Sequence, residues 1–496
     1  MTGFPIVTHF SSLPNHLPRF LRKSKWPPQA DLHTLWNQQR LPTWVMDSPP
    51  AMRLLDLLGP LPWQRFPDRD LQRNWGQPTV PYAAFAAACL LQLNEHLVYM
   101  SQLHDYLIEH PAFIWLFGFP LVTGRANFHG FDPEASLPTA RHFTRLLRTM
   151  PNATPKFLLA TSVTTILEAL AHANCTDVAQ AISLDTKHIL AWVKENNPKA
   201  YVSNRYDKSK QPAGDPDCKL GCKRRHNQRS TPDDIETPAH TPVPASTISV
   251  GEYYWGYGSG VVATKVPDWG EFTIAELTLP FNRADVAYFF PLMAQTERHL
   301  GFRPRIGAFD AAFDAFYVYG YFHRDDDPSA FAAVPFVQKG GYKVTGRRFG
   351  PEPLALPLCA AGLPMPLQFT YIDRTVTLVE HERAKYTCPL QTKDVPQDVS
   401  CPVNHERWLK GGCTTMMPTN VGARLRYTLD RESVAYKDAY RHRTATERIN
   451  SQTVALGIER PHLRNGQAIA NRNTLIYTLI NLRFLRRIRA RLAAND

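Results

Sequence analysis

No apolar run in this sequence is long enough to cross a membrane. The longest, Tyr82 to Leu93, is interrupted by Gln92 and falls far short of the roughly 20 residues a membrane helix requires, so no membrane partner is expected. The stretch from Met1 through Lys25 has no apolar core with a cleavage site, which argues against a secretory signal and for the cytoplasm. Cysteine is sparse, 8 in 496 residues at irregular spacings, too thin for the disulfide framework of a small secreted domain. No fixed-period repeat is present. Acidic residues are the minority charge, 44 against 56 Lys and Arg, leaving a formal net charge of +12. That balance favours a polyanionic partner, because each cation that neutralises a phosphate releases counterions; a well-solvated basic surface is the alternative. With 44% hydrophobic and 20% charged residues, the composition is that of a folded chain of one to four domains.

What is present falls into blocks. Residues 1–175 read as a helical front domain, with Ala- and Leu-rich stretches at Pro81 to Tyr106 and Thr154 to Ala173. Within it Ser136-Leu137-Pro138 reads as a helix start, and Arg141, Arg145 and Arg148 then recur at i, i+4 and i+7 on one face, a stripe suited to a DNA groove or to solvent. Residues 176–346 change character. A short strand Gln180 to Leu184 ends at Asp185, Phe272 to Leu279 alternates as a half-buried strand, and Arg305 to Phe309 delivers Asp310; helices Ala284 to Leu300 and Ala311 to Tyr321 and a strand Phe331 to Gln338 complete a mixed α/β order. Between the first two strands, residues 204–246 form an expected mobile basic loop carrying Lys219, Lys223, Arg224, Arg225 and Arg229, either an insertion or a clamp on phosphates. Residues 347–424 interrupt the core with β-type runs Leu367 to Ile372 and Thr375 to Glu380, and residues 425–496 return to helix, ending in arginines expected to face solvent or phosphate around Leu482, Leu485 and Ile488, which are expected to pack.

Phosphodiester chemistry needs an activated oxygen nucleophile and charge stabilisation on the leaving oxygen, which two divalent ions about 3.5 to 4 Å apart supply. Hard cations take carboxylate oxygens. Asp185 and Asp310 each close a strand and can converge if those strands are neighbours. Glu447 lies on an expected helix from Tyr436 to about Leu456, where Tyr440, Arg443 and Glu447 share one face. A guanidinium one turn away could orient that carboxylate or hold a phosphate; a surface ion pair is the plainer alternative.

The segment Tyr440-Arg441-His442-Arg443-Thr444-Ala445-Thr446-Glu447 resembles the Tyr-x2-Arg-x3-Glu signature of bacterial insertion-sequence transposases, the large group typified by insertion sequence four. Ile182-Ser183-Leu184-Asp185-Thr186 looks like that family's first-Asp motif, and Gly307-Ala308-Phe309-Asp310-Ala311-Ala312-Phe313-Asp314 looks like its second. All three stand in family order, over roughly residues 176 to 480. The resemblance implies a ribonuclease-H-like catalytic core with a β-rich insertion, preceded by an all-helical N-terminal domain. It also implies Mg²⁺ or Mn²⁺ held by Asp185, Asp310 and Glu447, and transposition by cleavage and strand transfer. Double-stranded DNA, as element ends and target, would be the partner, in a synaptic complex of self-associated subunits and with nucleoid association in a bacterial cell. Tyr440, Arg443 and Arg448 would be DNA contacts. One departure stands out: the signature continues with Lys where this chain has Val454, with Arg448 or Arg460 as possible replacements. A related nuclease, or a decayed or domesticated copy that only binds DNA, are the rival readings.

Cys359, Cys388, Cys401 and Cys413 fall in the insertion with His405 nearby, and four of these could bind structural Zn²⁺ or remain reduced thiols, since no C-x2-C pair marks them. Cys218 and Cys222 are expected to be free. Asp314 is a weaker alternative to Asp310. His188 reads as structural, and Trp408, Tyr253, Tyr254 and Trp255 read as packing in preference to base stacking.

Overall fold

The computed structural model describes residues 32–38, 40–70, 79–223, 252–336, 348–351, 355–374, 378–392 and 399–495. Up to residue 172 the described regular elements are all helical: α1 (Leu32–Gln38), α2 (Thr43–Met46), α3 (Pro49–Leu58), α4 (Tyr82–Asn94), α5 (Met100–Glu109), α6 (Ala112–Leu116), α7 (Pro133–Ser136), α8 (Ala140–Thr149) and α9 (Ala153–His172). The expected helical stretch from Pro81 to Tyr106 is divided between α4 and α5, where His96 adopts φ 55°. The helix expected to start at Ser136-Leu137-Pro138 starts instead at Ala140, with Thr139 at its N-terminus. Pro138 cannot donate a ladder bond and holds its predecessor extended.

A mixed sheet follows, built from β1 (Ala181–Leu190), β2 (Lys219–Lys223), β3 (Glu252–Val266), β4 (Gly270–Pro280), β5 (Ile306–Phe309) and β6 (Phe331–Ala333), with α10 (Phe289–Leu300) and α11 (Phe316–Phe322) between its later strands. The order is β2-β3-β1-β5-β6, and β4 also pairs with β3. β1, β3 and β4 are antiparallel neighbours, whereas β1, β5 and β6 run parallel. Gly270, at φ 121°, closes the β3–β4 hairpin in a conformation that a side chain would resist. Gly258 and Gly260 let Tyr288 cross β3 where an added Cβ would collide with its ring or hydroxyl.

Several expected boundaries shift. β1 does not stop at Asp185 but continues to Leu190, because β3 pairs with it residue by residue from Ser183 to Leu190; the polar run Asp185 to His188 hid a strand whose hydrogen bonds are made regardless of side chain. Part of the expected loop 204–246 is likewise strand, β2, paired to Glu252–Gly256. Arg224, Arg225 and the remainder of that loop to residue 246 lie outside the described residues. The helix expected from Ala311 is a single 3-10 turn, Ala311–Phe313, followed by α11.

The insertion contains a separate antiparallel sheet of β7 (Leu367–Asp373), β8 (His381–Thr387) and β9 (Thr414–Pro418) in the order β7-β8-β9. The second strand is β8, and of the expected run Thr375 to Glu380 residues 375–377 lie outside the described residues while 378–380 are not strand. The chain then runs through α12 (Val421–Thr428), α13 (Val434–Arg441), α14 (Thr444–Ala455) and the long α15 (Gly466–Asn495).

α15 joins the two halves. It packs on α3, α4, α8 and α9 from the front region and on β4 of the sheet. One apolar cluster runs from Leu54, Phe85 and Leu146 through Tyr477 and Ile480 to Val261 on β3 and Ile449 on α14. A second, on the opposite sheet face, gathers Leu184, Phe289, Phe309 and Phe484. The helical front therefore shares its core with the sheet. Buried polar bonds align α15 across β3 and β4: Asn481 Nδ2 donates to the Thr273 carbonyl at 2.8 Å, Thr474 Oγ1 to Glu276 Oε1 at 2.5 Å, and the Tyr477 and Ser259 hydroxyls lie 3.0 Å apart.

Candidate active site

Sheet register brings the first two acids together. β1 and β5 are parallel neighbours with Leu184 opposite Phe309. Both of those side chains enter the second apolar cluster. Because successive residues of a strand point to opposite faces, Asp185 and Asp310 emerge next to each other toward α14, which packs across β1, β3 and β4. Thr186 N–H donates to Asp185 Oδ1 at 2.8 Å, and Ala312 N–H to Asp310 Oδ1 at 2.9 Å.

α14 supplies the remaining groups. Asn450 Nδ2 donates to Asp185 Oδ2 at 3.0 Å, while its own Oδ1 is buried without a partner. Arg443 Nη2 stands 3.5 Å from Glu447 Oε1, and Arg443 Nη1 donates to the Tyr440 hydroxyl at 3.2 Å. The expected continuous helix breaks into α13 and α14 at His442 and Arg443, yet the shared face of Tyr440, Arg443 and Glu447 survives the break.

Burial pushes the Asp185 carboxyl up to about 6; the Thr186 N–H opposes this, Asp310 and Asp285 add to it, and Arg443 draws it down. Asp310 is raised too, chiefly by burial and then by Asp285, against the Ala312 N–H and Arg443. One guanidinium thus acts on both aspartates and pairs with Glu447. Asp185 and Asp310 are neighbours and Glu447 is linked to them through Arg443, but among the described residues no group of three or more His, Cys, Asp or Glu side chains is arranged to hold a metal ion.

Two members escaped sequence reasoning. Asn450 lies three residues beyond Glu447 and seven beyond Arg443, a helical spacing that could have flagged it. Asp285, which accepts from Thr186 Oγ1 at 2.6 Å, carried no such signal, since only the fold brings it to β1. Asp314 is excluded as the second acid, because Arg426 clasps it with bonds of 2.7 and 2.6 Å and the Tyr319 hydroxyl donates to it at 2.9 Å.

The other candidates disperse. Arg141, Arg145 and Arg148 are exposed on α8, opposite buried Phe143, Leu146 and Leu147. Arg448 is engaged by Glu271 at 2.5 Å. The C-terminal arginines, expected to face solvent or phosphate, are partly internal tethers: Arg483 donates to Asn94, Arg489 pairs with Asp56 and lies over Trp36, and Arg491 donates to the Asp268 carbonyl. His188 packs at a tilt against Phe281, their ring centroids 4.6 Å apart. Tyr254 and Trp255 are buried in β3, and Tyr253 is exposed. Cys218 is buried and Cys222 exposed, both as free thiols.

The insertion cysteines share one neighbourhood. Burial pushes the Cys413 thiol up, the Ala360 N–H opposes this, and Cys359, Cys388 and Cys401 each push it further. An added Cβ on Gly412 would stand 3.1 Å from Cys388 Sγ. His405 is turned to its own loop, accepting from Arg407 N–H at 3.2 Å. No family model and no curated protein matches the sequence.

Proposed function

We propose that the chain is a DNA transposase of the DDE type, which binds the ends of a mobile element and catalyses phosphodiester cleavage and strand transfer. The observation that carries this reading is the register of β1 against β5, which sets Asp185 beside Asp310 under the helix that bears Glu447. The ribonuclease-H-like description of the core rests on the same sheet, antiparallel through β4, β3 and β1 and parallel through β5 and β6, with the acids at the junction.

This activity requires Mg²⁺ or Mn²⁺, for which carboxylates are the right residue type, although the three acids as they stand are not grouped to hold a metal. Crowded carboxylates with raised pKa gain from a hard cation, and the orphaned Asn450 Oδ1 is a further oxygen beside them. Asp185, Asp310 and Glu447 would hold two such ions, which supply activation of the attacking oxygen and charge stabilisation on the leaving one. Asn450 fixes the Asp185 carboxylate. Arg443 is placed to take a phosphate oxygen, and its 3.5 Å pairing with Glu447 is loose enough to release that carboxylate when it does. The α8 arginines, with Lys223, Arg224 and Arg225, would hold duplex DNA in a self-associated synaptic complex. The four insertion cysteines would take a structural Zn²⁺.

A second reading is favoured by Val454, 41% exposed where the signature has Lys: a chain that binds DNA without cutting it. Incubating the protein with Mg²⁺ and duplexes carrying the sequences that flank its gene separates the two. Nicked and joined products are expected from the wild type and from none of Asp185→Asn, Asp310→Asn and Glu447→Gln, all of which should still bind DNA through arginines elsewhere. Products from any variant would remove that residue from the mechanism. Binding without cleavage in the wild type would establish the second reading.

A further inference from the structure

Where α14 ends, the chain turns through Gly457 at φ 77°, and beside that turn lies a cleft of about 220 Å³ between the α4–α5 connection, residues 455–462 and α15. Its polar lining is Gln92, His96, Arg460, His462 and Arg472, and no Asp or Glu contributes. The apolar remainder includes Leu93, Leu97 and Pro461.

Arg472 is the telling residue. Its Nη2 donates to the Leu456 carbonyl at 3.4 Å, and its Nε is buried without an acceptor. Burial depresses its pKa, and among the described residues the one group that opposes this is the Cys89 thiol, itself pushed up to about 12 by burial and therefore neutral. The C-terminal end of α14 offers roughly half a negative charge, too little to balance the buried Arg472 guanidinium. A buried cation without a counterion is costly. His462 adds a second orphan, a buried Nδ1 with no partner, and its ring is held by stacking on Trp192 at 4.3 Å and by the edge of Tyr99 at 5.3 Å. Fixed donors around a space free of carboxylates are the makings of an anion site.

We propose that this cleft binds a phosphate group, with Arg472 and Arg460 as its cations and His462 as an oriented donor. From Glu447 to the end of α14 at Ala455 the helix rises about 12 Å, or roughly three to four nucleotides along a strand. If the chain handles DNA as proposed above, the cleft takes a backbone or terminal phosphate of the strand whose scissile bond lies at Asp185 and Asp310. A free phosphate compound offers the same chemistry.

The test uses the full chain with Arg460→Gln, at an exposed position, and Arg472→Gln. Thermal unfolding is followed in inorganic phosphate and in chloride of equal ionic strength, and duplex affinity is followed across salt concentration. Phosphate should raise the wild-type Tm above its chloride value, and each substitution should remove that rise. Each should also lower the slope of log affinity against log salt by about one. A lost phosphate effect with an unchanged slope supports the site and assigns it to a free phosphate compound; a lowered slope without a phosphate effect supports it and assigns it to the strand. Wild-type behaviour of both folded variants in both assays would overturn the proposal. Cleavage is scored separately, so a wild type that never cuts but shows the lowered slopes in its variants would sink the transposase reading and leave the anion site standing.

Discussion

Burial of Asp185 works against the folded state at neutral pH. A carboxyl whose pKa is raised from 3.8 to about 6 binds more protons folded than unfolded between those values. Its contribution is therefore fully present below pH 3.8 and is lost as pH rises through 6. Asp310 and the fully buried Glu276 shift in the same direction, so they reinforce the fall. Asp185→Asn removes the ionisation and keeps the size, and should raise stability by on the order of 2 kcal/mol above about pH 7. Thermal unfolding across pH measures this. Adding Mg²⁺ should raise the wild-type Tm, because a ligand of the native state stabilises it, and should leave the Asn variant unmoved. A variant less stable than wild type above pH 7 would mean that the charged carboxylate's bonds from Asn450 and Thr186 outweigh its desolvation.

Among the elements, the β7-β8-β9 sheet is the least supported. Leu367, Phe369 and Ile372 on β7 are 53%, 47% and 49% exposed, and the buried Cys359, Met365, Cys388 and Met417 belong to none of the apolar clusters. A small module with no apolar cluster among its described residues needs another source of stability, and zinc binding as proposed above requires the four neighbouring cysteines to draw together around Zn²⁺, an arrangement they do not have as they stand. Metal analysis of the purified chain is expected to find about one Zn²⁺, and a chelator should expose the module to protease while the main sheet stays protected. Metal-free protein with a protected module would return these residues to the role of reduced thiols.

For the molecule as a whole, α15 decides whether the front region can stand alone. It contributes Leu475, Ile476, Tyr477 and Ile480 to one cluster and Phe484, Leu485 and Ile488 to the other. A chain ending before Gly466 should therefore lose cooperative unfolding in both regions, and residues 1–175 made separately should show no sharp thermal transition. Calorimetry reads both. A sharp transition in the fragment would show that the helical region is a domain in its own right.

Alternation placed β4, and short apolar runs placed parts of β1, β5 and β6, while β2 and the long β3 went unread; the 3.6-residue period put Tyr440, Arg443 and Glu447 on one face before any fold was known. Both signals are local, because they arise from the geometry of a few consecutive residues. The length of β1 was not legible, since its second half is polar and is held by the ladder to β3. Nor was Asp285, which reaches the acids through a hydrogen bond between residues 99 apart in the chain. The C-terminal arginines looked like a uniform basic surface, yet their partners Asn94, Asp56 and Asp268 are set by where α15 crosses the molecule. Periodicity thus determined which residues each element could offer. Which of them meet was decided by strand register and by helix packing between distant segments, and neither leaves a periodic trace in the sequence.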